Sequence, residues 1–186
     1  MRERRFKTKR LPRKVYLVIC EGETEKIYVE NLRRHYRLPV TIKTKVSGNA
    51  INRRLIDQYI NELGIDNDDD YSIFYIYDAD VQCVADKLMP LPGEVILTNP
   101  CLELWYVLHA VDHKKSNSSD NVLKILNSSH PAWRGYVKGR LTQDQAQLLI
   151  NNHGLATDRA KKLQWPQNPS SNMWMFLEAL EKSKKS

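Results

Sequence analysis

Two stretches of this sequence, VYLVIC at 15–20 and IFYIY at 73–77, are apolar at nearly every position. A strand with one wet face alternates apolar and polar residues. A strand buried on both faces does not, and such runs belong to parallel sheets covered by helices on both sides. The intervening sequence agrees. A helix-like stretch covers about Glu23 to His35, the strand-like VTIKTKV follows, and a second helical stretch covers about Asn49 to Leu63. A polar DNDDD turn precedes YSIFYIY, and LPLPG precedes a fourth strand, EVILT. Strands and helices alternating at this length predict an α/β fold with about four mainly parallel strands flanked by helices.

The second half reads differently. Asn99-Pro100 predicts a helix start, Asn99 as N-cap and Pro100 at the first helical position, with the helix running through CLELWYVLHAV to about residue 111. KKSNSSDN is a polar connector. Beyond it the pattern predicts only helix: about 120–127, 142–152 with Thr142 and Gln145 as a capping box and Gly154 as a stop, 156–164, and 170–182. The expected organisation is a basic arm over 1–14, an α/β core over 15–113, and a C-terminal helical appendage packed on that core over 114–186.

At 186 residues and 41% hydrophobic, the chain has enough apolar surface for one core. No apolar run approaches the roughly 20 residues needed to cross a bilayer, and the charged start lacks the apolar segment and cleavage site of a signal peptide. A soluble, cytoplasmic protein with no membrane partner is expected. Cys20, Cys83 and Cys101 are odd in number and widely spaced, which excludes a disulfide framework and a CxxC motif. The NSS tripeptides at Asn117 and Asn127 have no secretory context in which to be glycosylated. The net charge of +7 lies entirely in residues 1–14; the rest carries 21 basic and 21 acidic residues. An arm bearing Arg4, Arg5, Lys7, Lys9 and Arg10 fits sequence-independent attraction to phosphates, and a solubilising terminus fits it equally.

Against that balance the acids at the strand ends stand out. Glu21 is the first residue past VYLVIC, and YIYDAD ends the other buried run with Asp78 and Asp80. Open α/β sheets bind ligands at the carboxyl ends of their strands. Residues i and i+2 of an extended chain point to one side, and if the two strands are neighbours Glu21 lies across from the aspartates at roughly the 4.8 Å strand spacing. Three carboxylates there repel one another unless a cation sits among them, and oxygen-only donors favour Mg²⁺ or Mn²⁺ over zinc. Such an ion with a basic arm suits phosphodiester chemistry. The competing reading is structural: acids in a helix's first turn are favoured by its dipole, which accounts for Glu23 and Glu25, and DxD after a strand forms solvated turns.

EGETE after one apolar strand and DAD after another resemble the Toprim motifs of primases, topoisomerases and OLD-type nucleases. More specifically, ICEGETEKIYVENL, FYIYDAD, ILTNPCLELWYVLH, GYVKG, ATDRAKKL and NPSSNMWMFLEAL, in this order, resemble the RloB family of small Toprim proteins. The resemblance covers nearly the whole chain from about residue 15, and NPCLELW is its most distinctive piece. It implies a Toprim-like fold of four strands with flanking helices, Mg²⁺-dependent nuclease chemistry, and a role in bacterial defence against phage, often with an AAA-type ATPase partner. On this resemblance Glu21 would be the acid or base group or a shared metal ligand, and Asp78 and Asp80 would hold metal. After DAD, VQ replaces the usual downstream Gly of the wider Toprim pattern, which counts against topoisomerase-like strand passage. Glu25 matches the EGxx(D/E) pattern. Glu103, at N4 if Asn99 caps, stands among apolar neighbours near the sheet edge; both are candidates to complete a metal shell, and both also fit a helix-dipole partner.

Other features carry less. His109 and His113 stand at i and i+4, but HAVDH lacks the glutamate of HExxH and a third ligand, so zinc is set aside. Asp66, Asp68 and Asp70 begin like a calcium loop that no glycine continues. There is no GxSxG and no Walker motif. Lys138, Arg159 and Lys162 are the body's candidate phosphate contacts, though a solvated surface charge is the commoner role for each. Trp133 and Arg134 could stack on unpaired bases, or Trp133 could pack inside. The expectation is a Mg²⁺-dependent nuclease acting on DNA or RNA; the alternative is a non-catalytic nucleic-acid-binding module that recruits or regulates an ATPase. A primase is set aside because no separate nucleotide-binding motif appears.

Overall fold

The structure is a computed structural model and describes residues 14–37, 40–65, 69–79 and 82–184, with the side chains of Gln82 and Cys83 left aside. Asp80, Asp66, Asp68 and the arm residues Arg4, Arg5, Lys7, Lys9 and Arg10 therefore lie outside the described residues.

The elements run β1 (Lys14–Cys20), α1 (Glu23–Tyr36), β2 (Thr41–Val46), α2 (Arg53–Glu62), β3 (Asp70–Asp78), α3 (Gln82–Leu88), β4 (Glu94–Asn99), α4 (Leu102–Ala110), α5 (Ser119–Ser129), α6 (Gln143–Asn151), α7 (His153–Ala160), β5 (Ser170–Ser171) and α8 (Met173–Lys184). They form one five-stranded sheet in the order β2-β1-β3-β4-β5. The first four strands are parallel, and β5 pairs antiparallel with β4. This is the mixed α/β, Toprim-like architecture expected, with β1 and β3 adjacent.

Period-two alternation of the central strands splits their apolar residues between two cores. Tyr16, Val18 and Cys20 of β1, with Phe74 and Ile76 of β3, face α1, α4 and the later helices. Val15, Leu17 and Ile19, with Ile73, Tyr75 and Tyr77, face Ile56 of α2 and Val84 and Leu88 of α3. Burying each such side chain is worth about 1.5–3 kcal/mol, so both strands are held from both sides. Helix α4 is buried from Leu102 through His109, as a helix apolar all round must be. Trp105 Nε1 donates to Tyr28 Oη at 2.7 Å, and Tyr106 stacks on Trp133 with centroids 5.2 Å apart. The C-terminal helices thus share a core with one sheet face.

Several sequence expectations are corrected. Asn99 does not cap α4: it remains in β4, paired with Ser170, and the helix begins at Leu102 with Cys101 as N-cap. Residues 170–171 are strand, not helix. An outer edge of β4 without partners would leave backbone groups unmet. Ser170 and Ser171 pair with it, and Asn172 completes the cover, its Oδ1 accepting from Leu97 N–H at 2.7 Å and its Nδ2 donating to Val95 O at 2.9 Å. Gly154 stops nothing and lies within α7. The sequence reading also missed α3, a seven-residue helix with Val84 and Leu88 as its buried residues, too short for a periodic pattern to register.

Candidate metal and catalytic centre

The carboxyl ends of β1 and β3 meet the amino ends of α1 and α4. Glu21 N–H extends the ladder one step past β1, donating to Ile76 O at 3.0 Å, and the Glu21 side chain then accepts Asp78 N–H through Oε2 at 3.0 Å. One carboxylate thereby sits directly over the end of the neighbouring strand. Asp78 Oδ1 accepts from Leu102 N–H, the first amide of α4, at 2.7 Å. Asp78, from another strand, thus supplies to α4 a bond that Asn99 was expected to make.

Gly22 caps α1, and its N–H donates to Glu25 Oε2 at 2.8 Å. This is the glutamate half of a capping box; the other half needs a side chain glycine lacks. A Cβ at Gly22 would stand 3.2 Å from that same oxygen, so the glycine of EGETE leaves room for the buried carboxylate. Glu103, the second residue of α4, is 1% exposed. Its Oε1 accepts from Tyr136 Oη at 3.2 Å, and its Oε2 lies 3.4 Å from Lys138 Nζ.

The electrostatics follow from this crowding. Burial, then the charges of Glu25, Glu103 and Glu21, push the Asp78 acid from its ordinary 3.8 up to about 8, with the Leu102 amide opposing. Burial also raises Glu25, opposed by the amides of Glu25 and Gly22 and reinforced by Glu103 and Glu21. Desolvation alone would lower Lys138, yet the negative charge of Glu103, with Cys101 and Asp78, outweighs it and leaves the ammonium raised. Burial and the nearby Glu103 and Asp78 push the Cys101 thiol up to about 12, which removes it as a nucleophile.

The structure therefore brings Glu21, Asp78, Glu25 and Glu103 near one another and adds Lys138, which the sequence offered as a phosphate contact or a solvated charge. The readable signal for Lys138 was its loop: Gly135 and Gly139, with φ of 71° and 72°, bracket the turn that lays Lys138 against Glu103. Arg159 is elsewhere, its Nη1 donating to Leu108 O at 2.6 Å near the end of α4, and Lys162 is exposed beyond α7. Trp133 is fully buried, which takes it away from any base. His109 is buried with Nδ1 2.7 Å from Trp105 O and is pushed down to about 3 by desolvation, while His113 is half-buried.

A hard divalent cation fits this donor set in type and in charge. All four acids offer oxygen, and two of them are raised by burial and by one another. Glu21 and Asp78 meet through the Asp78 backbone amide, which donates to Glu21 Oε2, while the Asp78 carboxylate accepts from Leu102 N–H. Among the described residues no three His, Cys, Asp or Glu side chains converge on one metal position. Also among these residues, no helix is long and apolar enough to cross a membrane.

No curated protein and no solved structure matches the sequence significantly. A protein-family model does: that of the RloB-like proteins, over residues 16–180. The chain belongs to the RloB-like family.

Proposed function

We propose that this RloB-like protein is a Mg²⁺- or Mn²⁺-dependent nuclease that cleaves phosphodiester bonds of DNA or RNA in antiphage defence, with an AAA-type ATPase as partner. The observation that carries the reading is Asp78, held at the end of β3 with its acidity suppressed by burial and by three neighbouring carboxylates. Capping α4 accounts for the bond from Leu102 N–H but not for three further carboxylates beside it, and strongly perturbed acids cluster at functional sites. Glu21 and Asp78 would hold the cation, with Asp80 joining them by motif and Glu25 and Glu103 bordering the site. When bound, such an ion supplies charge stabilisation to a phosphoryl oxygen and orients it for in-line attack.

The chain's own groups do the rest. Glu21, over the end of β3, is the acid or base group or a shared ligand, and Asp78 beside it serves the cation. Lys138 stays charged and half exposed beside Glu103, where it can meet a phosphate oxygen. The Leu102 and Gly22 amides fix the aspartate and Glu25 in orientation.

The test is cleavage of a mixed DNA and RNA panel with Mg²⁺ or Mn²⁺, with and without a co-expressed ATPase. Activity must disappear in Asp78→Asn and persist in a distant surface control such as Arg53→Ala. A second reading, a non-catalytic nucleic-acid module, is favoured by the confinement of the net charge to residues 1–14. It requires that deleting residues 1–13 abolish binding while Glu21→Gln and Asp78→Asn leave defence intact.

A further inference from the structure

Helices α1 and α6 leave between them a cleft of about 670 Å³. Its walls carry Arg34, His35 and Arg37 from the end of α1, the amides of Asn31, Gln143 and Gln147, and no carboxylate among the described lining residues. In a body with as many acids as bases, the charged side chains among the described lining residues are all basic. Arg34 and Arg37 are both exposed. Among the described residues the Arg34 guanidinium is engaged through Nε alone, to Glu30 O at 3.2 Å. Asn31 Nδ2 is buried and, among the described residues, has no hydrogen-bond partner.

The cleft continues the candidate centre. Positions 23, 27, 31 and 34 follow one another at helical spacing and lie along one face of α1. Glu23 opens that face in the first turn, and its Cβ is 4.0 Å from where a Cβ at Gly139 would sit, next to Lys138. Ile27 and Leu141 line the near end of the cleft, and Arg34 and Arg37 the far end. Eleven residues separate Glu23 from Arg34, about 16 Å at 1.5 Å per residue. That distance spans about five phosphates at the 3.4 Å per nucleotide of one strand in a double helix, and fewer in an extended single strand.

We infer that the α1–α6 cleft is a track for the phosphate backbone of one nucleic-acid strand, with Arg34 and Arg37 as phosphate contacts and Asn31 as a neutral donor. This assignment rests on the nuclease reading for where the strand leads, and not for whether the strand binds.

The experiment uses the full chain with Arg34→Ala and Arg37→Asn combined. Asn suits position 37, whose φ of 45° a β-branched residue would resist. Binding of a labelled single-stranded 12-mer is followed by anisotropy across a salt series, and hydrolysis of bis(4-nitrophenyl) phosphate with Mn²⁺ is measured in parallel. The double variant is expected to bind about tenfold more weakly at physiological salt, with the log–log salt slope smaller by about 1.4, since each lost contact with a single strand is worth about 0.7. Hydrolysis of the small diester, too short to reach the cleft, stays unchanged. Unchanged affinity and slope overturn the track, as does a wild-type protein that binds no strand. Weakened 12-mer binding in a protein that hydrolyses neither substrate retains the track and removes the nuclease reading instead.

Discussion

Replacing Asp78 by asparagine should remove cleavage and make the protein more stable. In the unfolded chain this acid loses its proton near 3.8, while in the folded protein it holds on to about 8. Between those values the folded state carries the extra proton, so stability falls as pH rises from about 4 to about 8 and is flat above. At about 1.4 kcal/mol for each tenfold change in acidity, the loss reaches about 4 kcal/mol at pH 7. Asparagine has no charge to lose. Its Oδ1 can keep the bond from Leu102 N–H, and its amide can donate to the carboxylates around it. Even half the full figure, about 2 kcal/mol, would raise the melting temperature by about 4–8 °C in a domain of this size. Thermal melts of both proteins in chelator, at steps from pH 4 to pH 8.5, measure it. The gap should be about half a kcal/mol near pH 4 and widen steadily toward pH 8. An asparagine variant that melts at or below the wild type at pH 8, or a gap independent of pH, refutes the claim that this carboxylate is held against its charge.

The same melts with millimolar Mg²⁺ should show the wild type rising, by about 2.7 kcal/mol at a hundredfold excess over the dissociation constant, while Asp78→Asn and Glu21→Gln do not respond; equal shifts in all three would place the ion elsewhere. Lys138→Met leaves Glu103, 1% exposed, without its cation, and should cost about 1–2 kcal/mol, a figure reduced because Lys138 is itself half exposed. Chemical denaturation of the four members of a double-mutant cycle should find that cost gone in Glu103→Gln, and a coupling below about 0.3 kcal/mol would deny the pair any role. Asn172→Ala strips two hydrogen bonds from the outer edge of β4 and should cost about 2–3 kcal/mol by urea denaturation; a loss under about 0.5 kcal/mol would mean water replaces the amide freely.

The sheet and its acidic end were legible because both rest on local pattern. Strands apolar at every position announce burial on two faces, and the residue following each such run must emerge at the sheet's edge, which placed Glu21 beside Asp78. What escaped is what depends on distant partners. The start of α4 is set by Asp78, 24 positions upstream of Leu102, so local capping rules assigned it to Asn99. Ser170 and Ser171 are strand because β4 has an edge to cover, a demand written about 70 residues away. Lys138 reads as one more surface cation until the glycines around it are seen as a turn aimed at Glu103. Arg34 and Arg37 carried no signal apart from the other basic residues of α1, since a cleft is a property of two helices.

The groups that satisfy Glu103 come late in the chain. Tyr136 and Lys138 follow the last parallel strand by more than 35 residues, yet they neutralise a carboxylate that residues 1–113 would otherwise leave bare among three others. A ribosome that has finished the sheet has not finished this centre. Synthesis cut short there leaves the Glu103 carboxylate without the Tyr136 hydroxyl and the Lys138 ammonium, so the acidic cluster reaches its final charge balance only with the second half of the chain.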